Sequence, residues 1–279
     1  MSDSIEPLSH SASEPLIITL LSDLGTSDAS VTVAKATLMR YAPRTVIIDI
    51  SHHVAQYNLQ QAAYLLFSAY RHFAKGTVHV CMVNVFTGDK PRMLLAEKDG
   101  YYFITPDNGV LPLAFGAGIE SVRLCFEYAA PLIFSNWVND AGRVIELLQI
   151  GNELPFSSYT IKKTPRLLQP KPMNDGIECN ILYIDRYENV VLDITREHFN
   201  EIVKERPFRI KIMRMDDITA ISNSYSDVAY GQPLCRFNNA GFLEIAVNND
   251  RAASLLGLES FSTANLRYHT VKIFFQASI

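Results

Sequence analysis

The stretch Leu16 to Ala36, LIITLLSDLGTSDASVTVAKA, constrains the chain most. Six apolar or hydroxyl-bearing residues, Leu16 to Leu21, run without interruption into Ser22-Asp23-Leu24-Gly25. A short unbroken apolar run bounded by turn residues suits a strand buried on both faces. A polar turn, Thr26-Ser27-Asp28, follows, and then a helix-like stretch from Ala29 toward Tyr41. Strand, Asp-containing turn and helix make the first unit of an α/β domain. In open α/β sheets a ligand sits beyond the carboxyl ends of the strands. Asp23 falls at that place, and a carboxylate can accept both hydroxyls of a ribose. The competing role is an ordinary helix cap, which Asp28 or Ser27 would fill equally well.

The pattern repeats. Thr45 to Ile50 reads as a second buried strand, and Asn58 to Tyr70 carries a helical stripe at Leu59, Ala62, Ala63, Leu66 and Phe67. Thr77 to Val83 is a third strand. Arg92 to Glu97 and Tyr101 to Thr105 form a hairpin about Lys98-Asp99-Gly100. Asp107-Asn108-Gly109 turns into a short helix, Val110 to Phe115, and Ser121 to Phe126 is a further strand. This alternation predicts a Rossmann-like α/β domain over 15–160. Three prolines and several basic residues make 161–176 an extended linker. Beyond it short strands dominate: Ile177 to Ile184, Asn189 to Asp193, Phe208 to Met213, Leu234 to Phe237, Phe242 to Val247 and Thr270 to Phe275. One helix, Arg196 to Val203, interrupts them. They predict a smaller β-barrel-like domain over 177–279.

Composition narrows the function. Hydrophobic residues make up 48%, which supports a real core and argues against disorder. A net charge of −4 with no Lys/Arg cluster argues against nucleic acid as a partner. No apolar run reaches the length of a membrane span. Residues 1–14 are polar and lack an apolar segment, so they read as a mobile leader rather than a signal peptide. Cys81, Cys125, Cys179 and Cys235 lie far apart in apolar stretches, as free thiols of a reducing cytoplasm do. His52 and His53 point to opposite faces and make no chelating pair, so a loop or surface role is expected and no metal.

Three motifs carry a family resemblance. Ser22-Asp23-Leu24-Gly25-Thr26-Ser27-Asp28, Thr105-Pro106-Asp107-Asn108-Gly109, and Asn239 to Asn248 (NAGFLEIAVN) occur in order along the chain. They resemble the S-adenosylmethionine hydroxide adenosyltransferases and their fluorinase and chlorinase relatives. The resemblance runs from Leu16 to about Leu258. It implies displacement at C5′ of S-adenosylmethionine, with water giving adenosine and L-methionine, and no cofactor beyond that substrate. It implies that Asp23 binds ribose, that Asp28 and Ser30 hold the methionine end, and that Tyr57 stands beside the ribose. Thr87 lines the nucleophile pocket. Asp185, Tyr187 and Asn189 supply a carboxylate, an aromatic wall and an adenine amide, Tyr225 is the second wall, and Asn239 and Asn248 complete the set. Tyr187 and Tyr225 would otherwise read as hairpin aromatics packed across strands. The family also implies a homotrimer whose sites lie between subunits.

The chemistry-bearing positions differ from the family pattern. Val83-Asn84-Val85-Phe86-Thr87-Gly88-Asp89-Lys90-Pro91-Arg92 puts Asn84 where the hydroxide-transferring members have Asp. Pro91 falls on the family's Arg, with Arg92 adjacent, so Asn84 and Arg92 are the catalytic candidates. Asn139 to Val144 aligns with a segment whose His becomes Ala141 and whose fluorinase Ser becomes Gly142. Attacking water must lose a proton, and an amide cannot take it. Val247 and Ala240 stand where halogenating relatives carry Arg, which disfavours a halogenase. Three readings stand in this order: water-directed adenosyl transfer, a non-catalytic protein that binds or senses S-adenosylmethionine or adenosine, and halogenation.

Overall fold

A computed structural model describes residues 15–116, 118–129, 131–151, 154–161, 170–211, 217–258 and 270–275. The expected leader, 1–14, and linker residues 162–169 lie outside the described residues. The chain divides into two compact units, Met1–Arg166 and Leu167–Ile279.

The first unit runs β1 (Leu16–Ser22), α1 (Ser30–Tyr41), β2 (Thr45–Ser51), α2 (Leu59–Tyr70), β3 (Val78–Met82), β4 (Arg92–Lys98), β5 (Tyr101–Pro106), α3 (Val110–Phe115), β6 (Ser121–Glu127), α4 (Phe134–Ile150) and β7 (Ser157–Ser158). Its sheet has the order β2-β1-β3-β5-β4-β6-β7. Strands β1, β2, β3 and β5 are mutually parallel, and β4 pairs antiparallel with both β5 and β6. The apolar runs of β1, β3 and β5 are buried on both faces, as this layering requires; β2, expected as a second buried strand, lies at the sheet edge and leaves Val46 and Ile48 exposed. Leu16, Ile18 and Leu20 join α1 and α4 in one core. Leu21, Cys81 and Phe103 join α2 and α3 in another on the opposite face.

Local chemistry sets the helix ends. Asn58 Oδ1 accepts from the Gln61 N–H at 3.0 Å and caps α2. At α1 the capping position itself is Ala29, without a side-chain bond. Asp28 does the work one residue earlier, accepting from the Ser30 N–H at 2.8 Å. Helix α4 does not follow from the readings above, although Phe134, Trp137, Val138, Ala141, Val144, Ile145 and Leu148 recur at helical spacing. Its Ile133 cap offers no side-chain bond and its first turn has no acid, so the usual start signals are missing.

The second unit runs β8 (Lys171–Met173), β9 (Gly176–Ile184), β10 (Val190–Thr195), α5 (Arg196–Val203), β11 (Phe208–Ile210), a 3-10 turn (Tyr225–Asp227), β12 (Pro233–Phe237), β13 (Phe242–Val247), α6 (Ala252–Leu256) and β14 (Thr270–Phe275). Its antiparallel sheet, β11-β14-β9-β10-β13-β12 with β8 on β9, curls into a half-barrel. Alternate residues Ile177, Cys179 and Ile181 of β9 and Leu243, Ile245 and Val247 of β13 face one apolar core. An α/β sheet followed by an antiparallel barrel-like sheet is the architecture expected from the sequence.

The four cysteines are free; Cys81, Cys179 and Cys235 are buried and Cys125 half-buried. Burial pushes the Cys81 thiol up to about 12. His52 departs from the expected loop or surface role. It is buried, with Nδ1 2.7 Å from Ser22 Oγ and Nε2 3.1 Å from Asp49 Oδ1, while His53 is exposed. No helix among the described residues is long and apolar enough to cross a membrane.

His79 gives a stability prediction. It lies in β3, fully buried, with Nδ1 2.7 Å from Thr19 Oγ1 and its ring stacked on Phe103. Burial lowers its pKa from 6.5 to about 3. Between those values the unfolded chain binds a proton that the folded one does not. Stability of this unit is therefore complete above pH 6.5 and falls as pH drops toward 3. Chemical denaturation should show a loss of about 2 kcal/mol between about pH 7 and 5 from this group. A His79→Phe variant should show a visibly shallower slope over that interval, and an equal slope would refute the assignment.

Candidate functional site

The first unit's site lies at one edge of its sheet. Connection β1–α1–β2 leaves β1 on one side, and β2–α2–β3 returns to its other side. The carboxyl ends of β1 and β3 therefore flank a topological switch point, where open α/β sheets leave a crevice. Asp23 directly follows β1, and Asn84 lies two residues beyond β3.

Asp23 is the node of this edge. Its Oδ2 accepts the backbone N–H of Tyr57 at 3.2 Å and that of Asn84 at 3.2 Å. Both donors hold left-handed backbones, φ 62 for Tyr57 and φ 50 for Asn84. Such conformations cost about 1–3 kcal/mol each in a non-glycine residue and persist only where the surroundings impose them. One carboxylate oxygen thus fixes the loops after β2 and β3 against the end of β1. The Gly25 N–H to His52 carbonyl bond, 2.7 Å, braces the first two loops from behind. Tyr57 remains 70% exposed, an aromatic ring held out at the rim. Asn108 extends the network: its Nδ2 donates to the Val83 carbonyl at 2.8 Å, and its Oδ1 accepts from the Val110 N–H at 3.1 Å.

Beside these loops is an open pocket of about 580 Å³, lined by Thr87, Asp89, Lys90, Arg92, Asp107 and Asn108 among others. Arg92 opens β4, where Glu127 ends β6, and the two pair at 2.7 Å. The Tyr159 hydroxyl donates to Asp107 Oδ2 at 2.6 Å, and Arg92 Nη1 lies 3.9 Å from the same oxygen. Arg92 is raised further above its ordinary pKa by its bond to Glu127. Asp28, in the loop after β1, accepts from Ser30 at the start of α1, and Ser30 holds the Asp28 carboxyl below its usual range.

In the second unit the turn from β9 to β10 is built on Asp185. Its Oδ1 accepts the N–H groups of Tyr187 at 2.9 Å and Asn189 at 2.8 Å, and Asn189 Nδ2 donates to Oδ2 at 3.0 Å. Glu188, at φ 63, accepts from Ser254, which ties the turn to α6. Tyr187 is 78% exposed and Asn189 buried. The Tyr225 hydroxyl donates to Glu244 Oε1 at 2.8 Å beneath the Arg236 guanidinium, which stacks on its ring. Burial, then the Tyr225 bond acting against it, leaves the Glu244 carboxyl raised. Asn248 ends β13 and donates to the Val228 carbonyl at 2.9 Å.

The structure sorts the expected residues. Asp23, Tyr57 and Asn84 meet directly, and Thr87 and Arg92 line the adjoining pocket. Asp185 and Asn189 meet, and Asn248 lies at the same end of the second sheet, since Val190 pairs with Ile245. Asn239 does not join them. It occupies the hairpin turn at the other end of β13, about 20 Å of strand away. Ala141 and Gly142, aligned with the family's His and Ser, lie inside α4 and pack on α1. A Cβ on Gly142 would overlap the Tyr41 ring. Both positions are buried in the helix–helix contact. Asp107, Asn108 and Tyr159 were absent from the expected set. The first two stand in a motif already visible, whereas Tyr159 carries no sequence signal. Among the described residues no group of three His, Cys, Asp or Glu gathers as a metal site.

A switch-point crevice with a buttressed carboxylate, followed by an antiparallel half-barrel, defines an α/β protein built to hold a small polar ligand. Family models for the SAM hydroxide adenosyltransferase N-terminal domain and C-terminal domain match residues 18–130 and 179–264. The chain belongs to the SAM hydroxide adenosyltransferase family. It is 26% identical over 264 residues to the (R)-S-adenosyl-L-methionine hydrolase of Methanocaldococcus jannaschii, covering 90% of this chain and 96% of that one. The Thermus thermophilus protein of the same name is 26% identical over 260 residues, covering 86% and 94%. A conserved Thermotoga maritima protein of known crystal structure superposes with a TM-score of 0.71 at 26% identity, covering 92% of this chain and 99% of its own.

Two variants check this geometry. Asn108→Ala removes its bonds to the Val83 carbonyl and the Val110 N–H and should cost about 1–3 kcal/mol of stability by denaturation. Gly142→Ala should cost about 1–3 kcal/mol through overpacking against Tyr41, with no direct effect on ligand affinity. A neutral Gly142→Ala would place that residue outside the α1–α4 contact.

Proposed function

We propose that this protein binds S-adenosylmethionine and transfers the adenosyl group to water, giving adenosine and L-methionine. The observation that carries this reading is Asp23. Both of its hydrogen bonds fall on Oδ2, so Oδ1 is left to accept from a vicinal diol such as that of ribose. The hydrolase names of the similar proteins support the substrate and the nucleophile. In the reaction, water oxygen bonds to C5′ while the C5′–S bond breaks. Its electron pair goes to sulfur, which leaves as the neutral thioether, and the water gives up a proton. In-line displacement of this kind depends chiefly on positioning.

Within this reading Asp28 and Ser30 hold the methionine end, Tyr57 flanks the ribose and Thr87 lines the water pocket. Asp185, Tyr187, Asn189, Tyr225 and the backbone near Asn248 serve the ammonium and the purine. A flat apolar ring face and an amide suit a purine, and a carboxylate suits an ammonium. A second reading, binding or sensing without turnover, is favoured by one observation: Asn84 presents an amide where its relatives' pattern has a carboxylate.

The test is chromatographic. Protein incubated with S-adenosylmethionine should release adenosine, and Asp23→Ala should abolish product and weaken binding at least about tenfold, the loss of one charge-assisted contact. Calorimetric binding without adenosine would establish the sensing role instead. Chloride-dependent 5′-chloro-5′-deoxyadenosine would establish a halogenase. The same reading includes a homotrimer, and light scattering should give three times the 31.3 kDa chain mass.

A further inference from the structure

The amide at Asn84 leaves the proposed reaction without the base that the family pattern supplies. The same pocket holds another carboxylate. Asp107 follows the end of β5, its side chain 19% exposed, and it lines the pocket together with Thr87 and Arg92. It is held more tightly than a surface acid. Its backbone N–H donates to the Arg92 carbonyl at 3.0 Å. Its Oδ2 takes the Tyr159 hydroxyl at 2.6 Å and has Arg92 Nη1 at 3.9 Å. Arg92 is itself held by Glu127, 2.7 Å away, and its Nη1 lies 3.4 Å from the Tyr159 oxygen. The neighbouring Asn108 is bonded to the Val83 carbonyl and reaches the Asn84 carbonyl at 3.4 Å. The Asn84 N–H is in turn bonded to Asp23. Hydrogen bonds thus run from Asp23 through Asn84 to Asn108, the residue next to Asp107.

We propose that Asp107 is the proton acceptor for the attacking water, with Tyr159 and Arg92 as its positioning residues. The proposal rests on the hydrolytic reading given above. As the water oxygen bonds to C5′ and the C5′–S electron pair passes to sulfur, one water proton moves to Asp107. Both contacts from the protein fall on Oδ2, which leaves Oδ1 as the receiving oxygen. A base must come within about 2.6–3.2 Å of the proton donor, and Asp107 lines the open pocket in which that water would stand. Other carboxylates nearby are differently employed. Asp23 Oδ2 is taken by two backbone donors. Glu127 is paired with Arg92 and faces Lys90. Asp89 is exposed on the lip. Asp140, in α4, is paired with Arg143 at 3.1 Å.

The groups facing Asp107 are Tyr159 and Arg92, with Glu127 behind Arg92 and Lys90 and Asp89 on the loop.

Steady-state rates with S-adenosylmethionine and calorimetric affinity decide the matter. Asp107→Asn should lower kcat by at least about 100-fold, the usual range for a lost general base, with Kd within threefold of wild type. Asp107→Glu should recover part of the loss. Tyr159→Phe, which frees the Asp107 carboxylate from its 2.6 Å hydroxyl partner, should lower kcat while leaving Kd within threefold of wild type, the split expected of a residue that acts through the base. An Asp107→Asn variant that keeps its kcat, or one that no longer binds ligand, overturns the proposal; an unchanged kcat in Tyr159→Phe overturns the positioning role of Tyr159. Wild-type protein that binds S-adenosylmethionine yet releases no adenosine overturns the hydrolytic reading and this assignment with it. Adenosine release by wild type and by Asp107→Asn alike overturns this assignment alone.

Discussion

One carboxylate oxygen organises the first unit's functional edge. Asp23 Oδ2 gathers two backbone N–H groups, and each comes from a residue in the left-handed region. Asn adopts this region more readily than most residues, whereas Tyr57 is unusual there. The negative charge offsets the strain by satisfying donors that would otherwise point at one another across the crevice. The result is a rigid junction of three loops, built on strands whose order makes a gap there. Rigidity at such a point is what a displacement reaction asks of its binding site.

The remainder of the unit serves to hold that edge still. Two helical layers cover the sheet, α1 with α4 and α2 with α3, and Gly142 allows the Tyr41 ring to approach α4. This contact also revises the reading of Asn139 to Val144. The family's His and Ser were sought in a segment that turns out to be helix interior. Close packing against Tyr41 fits a glycine at position 142. The search for an acid–base group moves to the pocket at the ends of β4, β5 and β6. There, Arg92, Asp107, Glu127 and Tyr159 are already joined.

The second unit uses the same device on a smaller scale. Asp185 accepts two backbone N–H groups and an amide, and Glu188 is left-handed within its turn. Tyr187 and Tyr225 differ in support. Tyr187 projects freely, while Tyr225 is anchored through its hydroxyl to Glu244, which is only 6% exposed. A ring anchored in this way has one orientation to offer a planar ligand.

Much of this was legible along the chain. Apolar runs marked the long strands, including the buried β1, β3 and β5; they did not show that β2 lies exposed at the sheet edge. Asp23 was legible too, since the residue after a buried first strand must emerge at the sheet's carboxyl edge. Three things needed the tertiary structure. Helix α4 lacked start signals, so only its packing on α1 settled its extent and the burial of Gly142. Asn239 and Asn248 look adjacent in one motif, yet a strand between them sets them at opposite ends of the sheet. The partnership of Asp107 with Tyr159 and Arg92 joins residues 15 to 67 positions apart. Sequence determines which residues can be buried and which must turn. Which side chains then meet depends on strand order, and strand order is a property of the folded sheet.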